Sequence, residues 1–425
     1  MTTNSSSIIG ASKSIANITD HLLTEILIRL PDCRHAARCA AVCKRWSSLI
    51  SHSHFIRAFV DHHASAAPLA LLFQYHLYEY QKLPIIDSKF YQILFDKTLS
   101  YTNSYLSFLP YDDVVVRAYC DDLLLVSRAN ADYSGSFSFC ICNPMSKKWC
   151  VLPEPPRGIV RLAKCALVCR RNNENQGHYC YNVALLFYIT DGYLRRNANQ
   201  FPETLRSMVF SSETAQWSPL AKFFPSPQMQ RWRNILGRPW IFNEPVPCSN
   251  GVVHWLEDSR GNWEWIVTFD PLAAAAADDD RECGHICLPA EAGDNRWLAR
   301  VRLGACKGRL RAAFVSHLED GVIKLEVWER KDCDDNTASC CWSVVHNAVV
   351  EMEVHRGAFL MALHPNDGNL VFLLVDGINV CRYDMRLRKG EKVGQFPERV
   401  GAGIVLTVYA LCSPWPTPVP SLQST

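Results

Sequence analysis

Three residues near the N-terminus have the types and the spacing of metal ligands. His35, Cys39 and Cys43 follow one another at intervals of four, which would place them along one face of a single helix. A closed zinc site needs a fourth ligand, so the three argue weakly for metal. Cys140 and Cys142 alternate as strand residues do and are expected in a core. We therefore predict neither a metal site nor a cofactor.

The motifs that commonly mark catalysis are missing from the sequence. It contains no HExxH zinc motif, no GxSxG nucleophile turn, no P-loop and no dinucleotide-binding glycine pattern. Its acidic residues and histidines are scattered along the chain, and none of them converge in sequence. No catalytic residue is predicted, although an enzyme built on an unfamiliar site stays open as an alternative.

One basic and aromatic stretch, MQRWRNILGRPW (229–240), could contact a partner. It has no acidic residue, and arginine and tryptophan are the side chains on which binding energy concentrates. Basic residues interleaved with aromatic ones also hold single-stranded nucleic acid, but a net charge of +2 gives no general attraction to it. An ordinary exposed loop is the other interpretation. The candidate substrate contacts are Arg231, Trp232, Arg233, Arg238 and Trp240.

The composition is that of a globular protein of 425 residues, 48% apolar and 20% charged. The opening residues lack the apolar segment of an export signal, so the nineteen cysteines are expected to be mostly reduced thiols. This favours the cytoplasm, the nucleus or both. No apolar run has the length of a membrane span, and neither a membrane nor a nucleic acid is expected as a partner.

The N-terminal region has the pattern of short helices. In HLLTEILIRLPD (21–32) the apolar residues recur on one helix face, with Thr19 and Asp20 as the start signal and Pro31 as the stop. The stretch AARCAAVCKRWSSLI (36–50) continues the helical pattern and is expected to break near Cys43, giving three short helices. So small a module buries little core alone. It is therefore either packed on the rest of the chain or half of an interface.

From about residue 69 onward the sequence consists of short apolar or alternating runs between turn residues. Such runs predict an all-β sandwich, barrel or propeller. A strand followed by a polar turn and an aromatic or apolar residue recurs in CNPMSKKW, FSSETAQW, FDPLAAAA and YDMRLRKG, and the length fits six or seven propeller blades. The late run IVLTVYALC (404–412) is expected to close the ring by pairing with PLALLFQYH or YLSFLP.

Residues 18–59 resemble an F-box, the helical module by which substrate receptors dock on the Skp adaptor of SCF-type (Skp-cullin-F-box) ubiquitin ligases. The resemblance is carried by DHLLTEILIRLP, VCKRWSSLI and SHSHFIRAFV in the expected order. The later phrases CICNPMSKKWCVLPEPP, SNGVVHWLE and ALHPNDGNLVFLL are similar to the F-box-associated, kelch-like β-propeller of plants. The resemblance thus implies an α+β multidomain protein, with a three-helix F-box followed by an all-β propeller.

The resemblance also sets the expected domains and contacts. We expect a disordered tail over 1–16, the F-box over 17–60, the propeller over 69–412 and a Pro-rich disordered tail over 413–425. One departure is Ile18-Thr19, where the family usually has Leu-Pro, although threonine is a competent helix cap. Adaptor contact and the core of the module are expected to share Ile18, Leu22, Leu23, Ile26, Leu27, Pro31, Val42, Cys43, Trp46, Leu49 and Ile50.

By resemblance, the expected function is that of a noncatalytic substrate receptor. The F-box would bind a Skp-type adaptor, and through it cullin and RING subunits, while the propeller would bind an unknown target protein for ubiquitination. A stand-alone propeller scaffold with a weakened F-box is the first alternative. A propeller hydrolase or oxidase is the second and would require acids or histidines at the central channel. A helical subdomain packed on the propeller would also fit the N-terminal periodicity.

Overall fold

The structure is a computed structural model that separates into two compact units, residues 1–64 and 65–425. The predicted tail over 1–16 lies outside the described residues, and so does the run AAAAADDD (273–280), whose acidic end predicts a solvated loop. The structure describes residues 18–63, 70–77, 90–94, 100–101, 106–111, 114–128, 138–156, 161–171, 179–188, 205–224, 246–247, 251–259, 262–271, 281–282, 284–289, 301–318, 322–331, 341–396, 399–400 and 404–420.

Residues 18–63 of the first unit form four helices, so the prediction of three was wrong by one. The expected break near Cys43 is confirmed, because Cys43 has an extended backbone and precedes a new helix. The second break lies at His52, whose extended backbone ends one helix while its Nδ1 accepts a hydrogen bond from the amide of His54 in the next. The helices are α1 (Asp20–Ile28), α2 (Cys33–Ala40), α3 (Lys44–Ser51) and α4 (Ser53–His62).

The second unit consists of strands, as predicted. In chain order the first thirteen described strands are β1 (Ala70–Leu77), β2 (Phe90–Leu94), β3 (Ser100–Tyr101), β4 (Val114–Cys120), β5 (Leu123–Arg128), β6 (Phe139–Asn143), β7 (Lys148–Val151), β8 (Arg161–Arg171), β9 (Tyr179–Tyr188), β10 (Leu205–Ser211), β11 (Gln216–Trp217), β12 (Ala221–Phe224) and β13 (Val246–Pro247). The others are β14 (Val253–Ser259), β15 (Asn262–Phe269), β16 (Arg281–Glu282), β17 (Gly284–Cys287), β18 (Val301–Cys306), β19 (Arg309–His317), β20 (Ile323–Arg330), β21 (Trp342–Val349), β22 (Ala358–Leu363), β23 (Leu370–Val375), β24 (Asn379–Asp384), β25 (Lys389–Gln395) and β26 (Ile404–Leu411).

These strands form sheets that follow one another around a closed ring. We number them sheet 1 (β26-β1-β2-β3), sheet 2 (β4 to β7), sheet 3 (β8 to β12, with β16), sheet 4 (β13-β14-β15-β17), sheet 5 (β18 to β21) and sheet 6 (β22 to β25). The innermost strands contact one another in the order β26, β4, β8, β13, β18, β22 and back to β26. Six apolar clusters fill the spaces between neighbouring sheets, including the one between sheet 6 and sheet 1. This is the architecture of a β-propeller.

The number of regular four-stranded blades differs from the six or seven blades that the chain length predicts. Among the described residues, five sheets have the four-stranded form of a regular blade. Sheet 3 has six strands instead, because β12 continues the sheet and pairs in parallel with β16 from much later in the chain. Chain length alone cannot reveal such a long-range parallel pairing, because neither short strand marks its partner in sequence.

The ring closes as the sequence predicts. β26 pairs antiparallel with β1 over eight residues, from Ala70 opposite Leu411 to Leu77 opposite Ile404. The first of the two predicted partners is therefore confirmed, whereas the described part of YLSFLP forms a turn. The Tyr409 hydroxyl also donates to the Val116 carbonyl at 3.0 Å, which joins the closing strand to sheet 2.

The recurring turn pattern corresponds to hairpins between the third and fourth strands of a sheet. In β6–β7 the side-chain oxygen of Asn143 accepts hydrogen bonds from the backbone amides two and three residues later. The Asp384 carboxylate does the same in β24–β25. Four residues after these caps, Lys147 and Arg388 have positive φ, as does Ala215 in β10–β11. The fourth occurrence, FDPLAAAA, runs out of the described residues.

The disordered Pro-rich tail predicted for 413–425 differs from the structure over residues 413–420, whereas residues 421–425 lie outside the described residues. Residues 413–420 are ordered against sheets 2 and 3, where Thr417 is 3% exposed and its amide and carbonyl are both bound. Prolines alone indicate a segment without regular structure, but they also favour an extended chain that polar side chains can bind.

Candidate functional site

Helix α1 divides its apolar residues between two environments. Leu23 and Leu27 are 2% exposed and belong to the interior of the helical unit. Leu22 and Ile26, one turn apart on the same helix, are 58% and 54% exposed. A helix that shows apolar side chains to solvent on one side and buries others has a side left for a partner.

The helical unit has its own apolar interior. Helix α4 contributes Phe55 and Phe59, whose ring centroids lie 5.8 Å apart, and α3 contributes Ile50, which is 3% exposed. Helix α1 packs against both α3 and α4. His63 stacks on Phe59 at 4.2 Å and contacts the Leu30 carbonyl with its Nε2 at 2.9 Å, which ties the end of α4 to the end of α1.

The eleven residues predicted for adaptor contact and core separate by exposure. Leu23, Leu27 and Ile50 are buried and form core. Ile18, Trp46 and Leu49 are half-buried. The exposed members are Leu22, Ile26, Pro31, Val42 and Cys43, with Val42 at 66%. Sequence periodicity alone could not make this division, and the adaptor contact itself stays a prediction.

The start of α1 forms despite the Ile18-Thr19 departure. Thr19 is the N-cap, with its hydroxyl accepting from the Leu22 amide at 3.4 Å. Arg45 of α3 donates to the Asp20 carboxylate at 2.7 Å and also to the Ile18 carbonyl. Arg45 was not among the residues predicted from the sequence, because its only sequence signal is a charge opposite to that of Asp20, twenty-five residues away.

The three potential metal ligands do not share a helix face. Helix α2 ends at Ala40, so Cys43 lies outside it as the residue that precedes α3. His35 instead contacts the Asp32 carboxylate with its Nδ1 at 2.8 Å. No group of three or more histidine, cysteine or acidic side chains suited to a metal occurs within the described residues.

Cys140 and Cys142 are 1% and 0% exposed in the cluster between sheets 1 and 2, which confirms their expected place in a core. Burial raises the pKa of the Cys140 thiol to about 12 and holds that of the Cys142 thiol well above its usual range. Both side chains are therefore protonated and unreactive at neutral pH.

The predicted substrate contacts Arg231, Trp232, Arg233, Arg238 and Trp240 lie outside the described residues. The centre of the ring is described in part and holds a cavity of about 60 Å³ against the innermost strands. Its described lining includes Tyr119 and Arg302 but neither a carboxylate nor a histidine. This part of the channel therefore offers no acid–base pair for the alternative enzyme hypothesis.

Among the helices that the structure describes, none is long and apolar enough to cross a membrane.

Comparison with known proteins assigns both units. Residues 15–57 match the F-box domain, and residues 95–388 match the family described as F-box protein At3g26010-like, beta-propeller. The similar propeller structures include that of the Trilobed protease from Pyrococcus furiosus, with 10% identity, a TM-score of 0.33 and coverage of 77% of this chain and 80% of that one. An oligogalacturonate lyase in complex with manganese has 11% identity, a TM-score of 0.36 and coverage of 78% and 81%. Neither bears on function.

Two Arabidopsis thaliana proteins are similar in sequence. F-box/kelch-repeat protein At3g61590 is 25% identical over 57% of this chain. The match spans about half of that protein's length, 52%. F-box protein At1g49990 is 31% identical over 82% of this chain and 80% of its own length. With the helical unit, the closed ring of sheets and these matches together, the chain belongs to the plant family of F-box proteins that carry a β-propeller.

Proposed function

We propose that the protein is a noncatalytic substrate receptor of an SCF-type ubiquitin ligase. Its F-box docks on a Skp-type adaptor, and its propeller holds a target protein. The observation that carries the proposal is the exposure of Leu22 and Ile26 on a helix whose Leu23 and Leu27 already fill the interior. Burying one such exposed side chain on binding is worth ~1.5–3 kcal/mol, so a few of them supply a useful affinity.

The proposed mechanism is proximity. A receptor that binds adaptor and target at once makes the meeting of target lysines and the charged ubiquitin carrier effectively intramolecular. No acid, base or nucleophile of this chain takes part in that chemistry.

Because the structure separates exposed from buried apolar residues of the F-box, the test can substitute exposed ones and leave the core of the unit intact. The wild-type chain and the variants Leu22→Asp and Ile26→Asp are co-purified with a plant Skp-type adaptor. Leu387→Asp is the matched control, because Leu387 is 71% exposed on the β24–β25 hairpin of the propeller. We expect a stoichiometric complex with wild type and control, and its loss in the two F-box variants at unchanged thermal stability.

The same experiment identifies the alternative. If folded wild-type chain fails to bind the adaptor, the stand-alone scaffold with an inactive F-box takes over as the explanation. If both F-box variants bind as well as wild type, the exposed side of α1 does not contact the adaptor, and the proposal for that site is wrong.

A further inference from the structure

The C-terminal segment is bound by side chains that are themselves buried. Asp122, between β4 and β5, is 2% exposed, and Asn143, at the end of β6, is 0% exposed. The Asp122 carboxylate accepts a hydrogen bond from the Thr417 amide at 3.0 Å, and the Asn143 side-chain amide donates to the Thr417 carbonyl at 2.8 Å. One residue of the tail is thus held by both of its backbone polar groups.

Two further contacts extend this binding along the tail. The Tyr181 hydroxyl, on a side chain 2% exposed, donates to the Pro418 carbonyl. Val419 packs against the apolar cluster between sheets 2 and 3. We call Asp122, Asn143 and Tyr181 the clamp. The hydrogen bonds from Asn143 and Tyr181 reach backbone carbonyls of the tail, whereas Asp122 binds both the amide and the side chain of Thr417, so the clamp recognises the course of the chain and the threonine together.

The sequence of the tail fits this mode of binding. In SPWPTPVP (413–420) prolines alternate with other residues, and proline lacks a backbone amide and fixes an extended φ. Thr417 is therefore one of four amide donors in the eight-residue segment, and the clamp binds that donor. Prolines also reduce the conformational freedom lost on binding, which is how short proline-rich segments bind proteins with useful affinity.

The clamp is more polar than a purely structural contact requires. Asp122 and Asn143 are buried, and the Asn143 side-chain amide donates to both the Asp122 carboxylate, at 2.7 Å, and the tail. Buried polar groups are costly unless hydrogen-bonded, and apolar packing would fix a permanent tail at lower cost. A preformed set of donors and acceptors aimed at a backbone is what an exchangeable peptide site needs.

We propose that the clamp is a recognition site for extended Pro-Thr-Pro segments of another protein, occupied in cis by the chain's own tail. The idea that such a segment belongs to a target protein rests on the proposed receptor function. The tail then acts as an internal competitor. Because it is tethered, its effective concentration is of millimolar order, so only a high local concentration of a rival segment displaces it.

The test cuts the tail after folding. The full chain receives a specific protease site between Cys412 and Ser413, is purified with its tail in place and is then cleaved. A labelled peptide of residues 413–425 is added, and binding is followed by fluorescence anisotropy and native mass spectrometry. We expect one peptide per cleaved chain, and at least about tenfold weaker binding to the uncut chain, whose tethered tail competes.

Control peptides and variants show whether the clamp does the binding. A peptide N-methylated at Thr417 loses the donor to Asp122 and should bind about tenfold more weakly, as for one lost hydrogen bond to a buried group. Tyr181→Phe removes a single hydroxyl and should weaken binding severalfold. Tyr383→Phe, a matched deletion at a buried tyrosine of sheet 6, should leave binding unchanged.

Three results would overturn the proposal. The cleaved tail could fail to exchange, or cleavage could unfold the propeller; either result makes the tail a permanent part of the fold. Alternatively, the N-methylated peptide could bind as well as the unmodified one, and the clamp would then not be the site. Because no adaptor is present, failure here is distinguishable from failure of the receptor function, which the co-purification tests separately.

Discussion

The two units of this protein use apolar side chains in opposite ways. The helical unit keeps a small interior, with Phe55 and Phe59 at its centre, and leaves Leu22 and Ile26 in solvent on the helix that also supplies Leu23. The propeller distributes its interior over six clusters between neighbouring sheets, so that each sheet is packed on both sides.

This difference tells where function and stability reside. A ring of sheets tolerates the loss of one contact, because the neighbouring clusters still hold each sheet. A unit of about forty residues has little stability to spare, of the order of 0.05–0.15 kcal/mol per residue. Exposed apolar residues are therefore a cost to the small unit, and under the proposed function the adaptor would cover them on binding.

The largest expected effect is the loss of a central aromatic from the small unit. Phe59 in α4 and Phe372 in β23 are both 0% exposed. Truncating a buried phenylalanine to alanine costs ~3–5 kcal/mol, which is comparable to the whole stability of the helical unit. We expect Phe59→Ala to unfold the helical unit and leave the propeller intact, whereas Phe372→Ala lowers the propeller's melting temperature without unfolding it at 25 °C.

Hydrogen exchange read by mass spectrometry for each unit checks this prediction. In Phe59→Ala, the amides of α1 to α4 should lose protection while those of the strands keep it. If the helices stay protected, the helical unit has a larger reserve of stability than its size predicts, and the comparison between the units fails.

Acid should distinguish the units next, through two buried histidines of the propeller. Burial lowers the pKa of His254 and of His364 from 6.5 to about 4. Arg330 adds to the lowering at His254, whereas at His364 Asp367 opposes it and Arg382 adds to it. Between pH 6.5 and 4, the unfolded chain therefore protonates these two histidines while the folded propeller keeps them neutral. The free energy of unfolding of the propeller is at its full value above pH 6.5. It decreases as the pH falls towards 4, by about 3 kcal/mol for each histidine at most.

The matched variant is His364→Asn. The His364 Nδ1 accepts from the amides of Asn366 and Asp367 at 3.1 and 2.8 Å, and an asparagine oxygen caps the corresponding turn after Asn143 in the same way. The variant should keep its stability at pH 7.5 and lose less of it between pH 6.5 and 5 than wild type does. Equal slopes in melting temperature against pH would show that His364 is not a source of acid sensitivity.

A smaller loss of stability is expected at Gly251, just before β14 of sheet 4, where Arg170 of sheet 3 lies close to the backbone. Gly251 has φ +80, and a Cβ added there would lie 2.0 Å from Arg170 Nη2. Left-handed backbone costs ~1–2 kcal/mol for a residue with a side chain, and the displaced guanidinium adds to this. Gly251→Ala should lower the urea midpoint of the propeller and leave adaptor binding unchanged.

A double-mutant cycle separates the two causes. In the Arg170→Ala background, Gly251→Ala should cost less, since only the backbone strain remains. Strictly additive effects would mean that Arg170 moves away freely and that the strain accounts for everything.

Much of the propeller was predictable because its signal is local. Strands such as β23 and β26 are short apolar runs between turn residues, and the repeated hairpins carry their caps, Asn143 and Asp384, in the sequence. Closure was predictable for a related reason. The last strong strand of a ring needs an early partner, and β1 supplies it.

What escaped prediction depends on contacts between distant residues. Periodicity places Leu22 and Leu23 on one broad helix face, but only the packing of α3 and α4 against α1 decides which is covered. The tail is a similar case, since its prolines say nothing of Asp122 or Asn143. The parallel pairing of β12 with β16 has no sequence signal either.

The smallest expected effect concerns the departure at Ile18-Thr19, and it asks whether the helical unit was shaped by its fold or by its partner. Thr19 has φ −64 and ψ 153, a conformation that proline adopts without strain. Thr19→Pro gains ~0.4–1 kcal/mol by restricting the unfolded chain and loses a similar amount with the cap, here a long 3.4 Å hydrogen bond. The free energy of unfolding of the Thr19→Pro variant should therefore stay within ~0.5 kcal/mol of wild type.

A proline side chain at the start of α1 should nevertheless raise adaptor affinity, by about tenfold at most. Calorimetry measures this affinity beside that of Thr19→Ala, the control that lacks both the cap and the ring. A gain in affinity without a gain in stability would place this residue with the partner. A gain in stability alone would place it with the fold and count against the adaptor contact of this end of the helix.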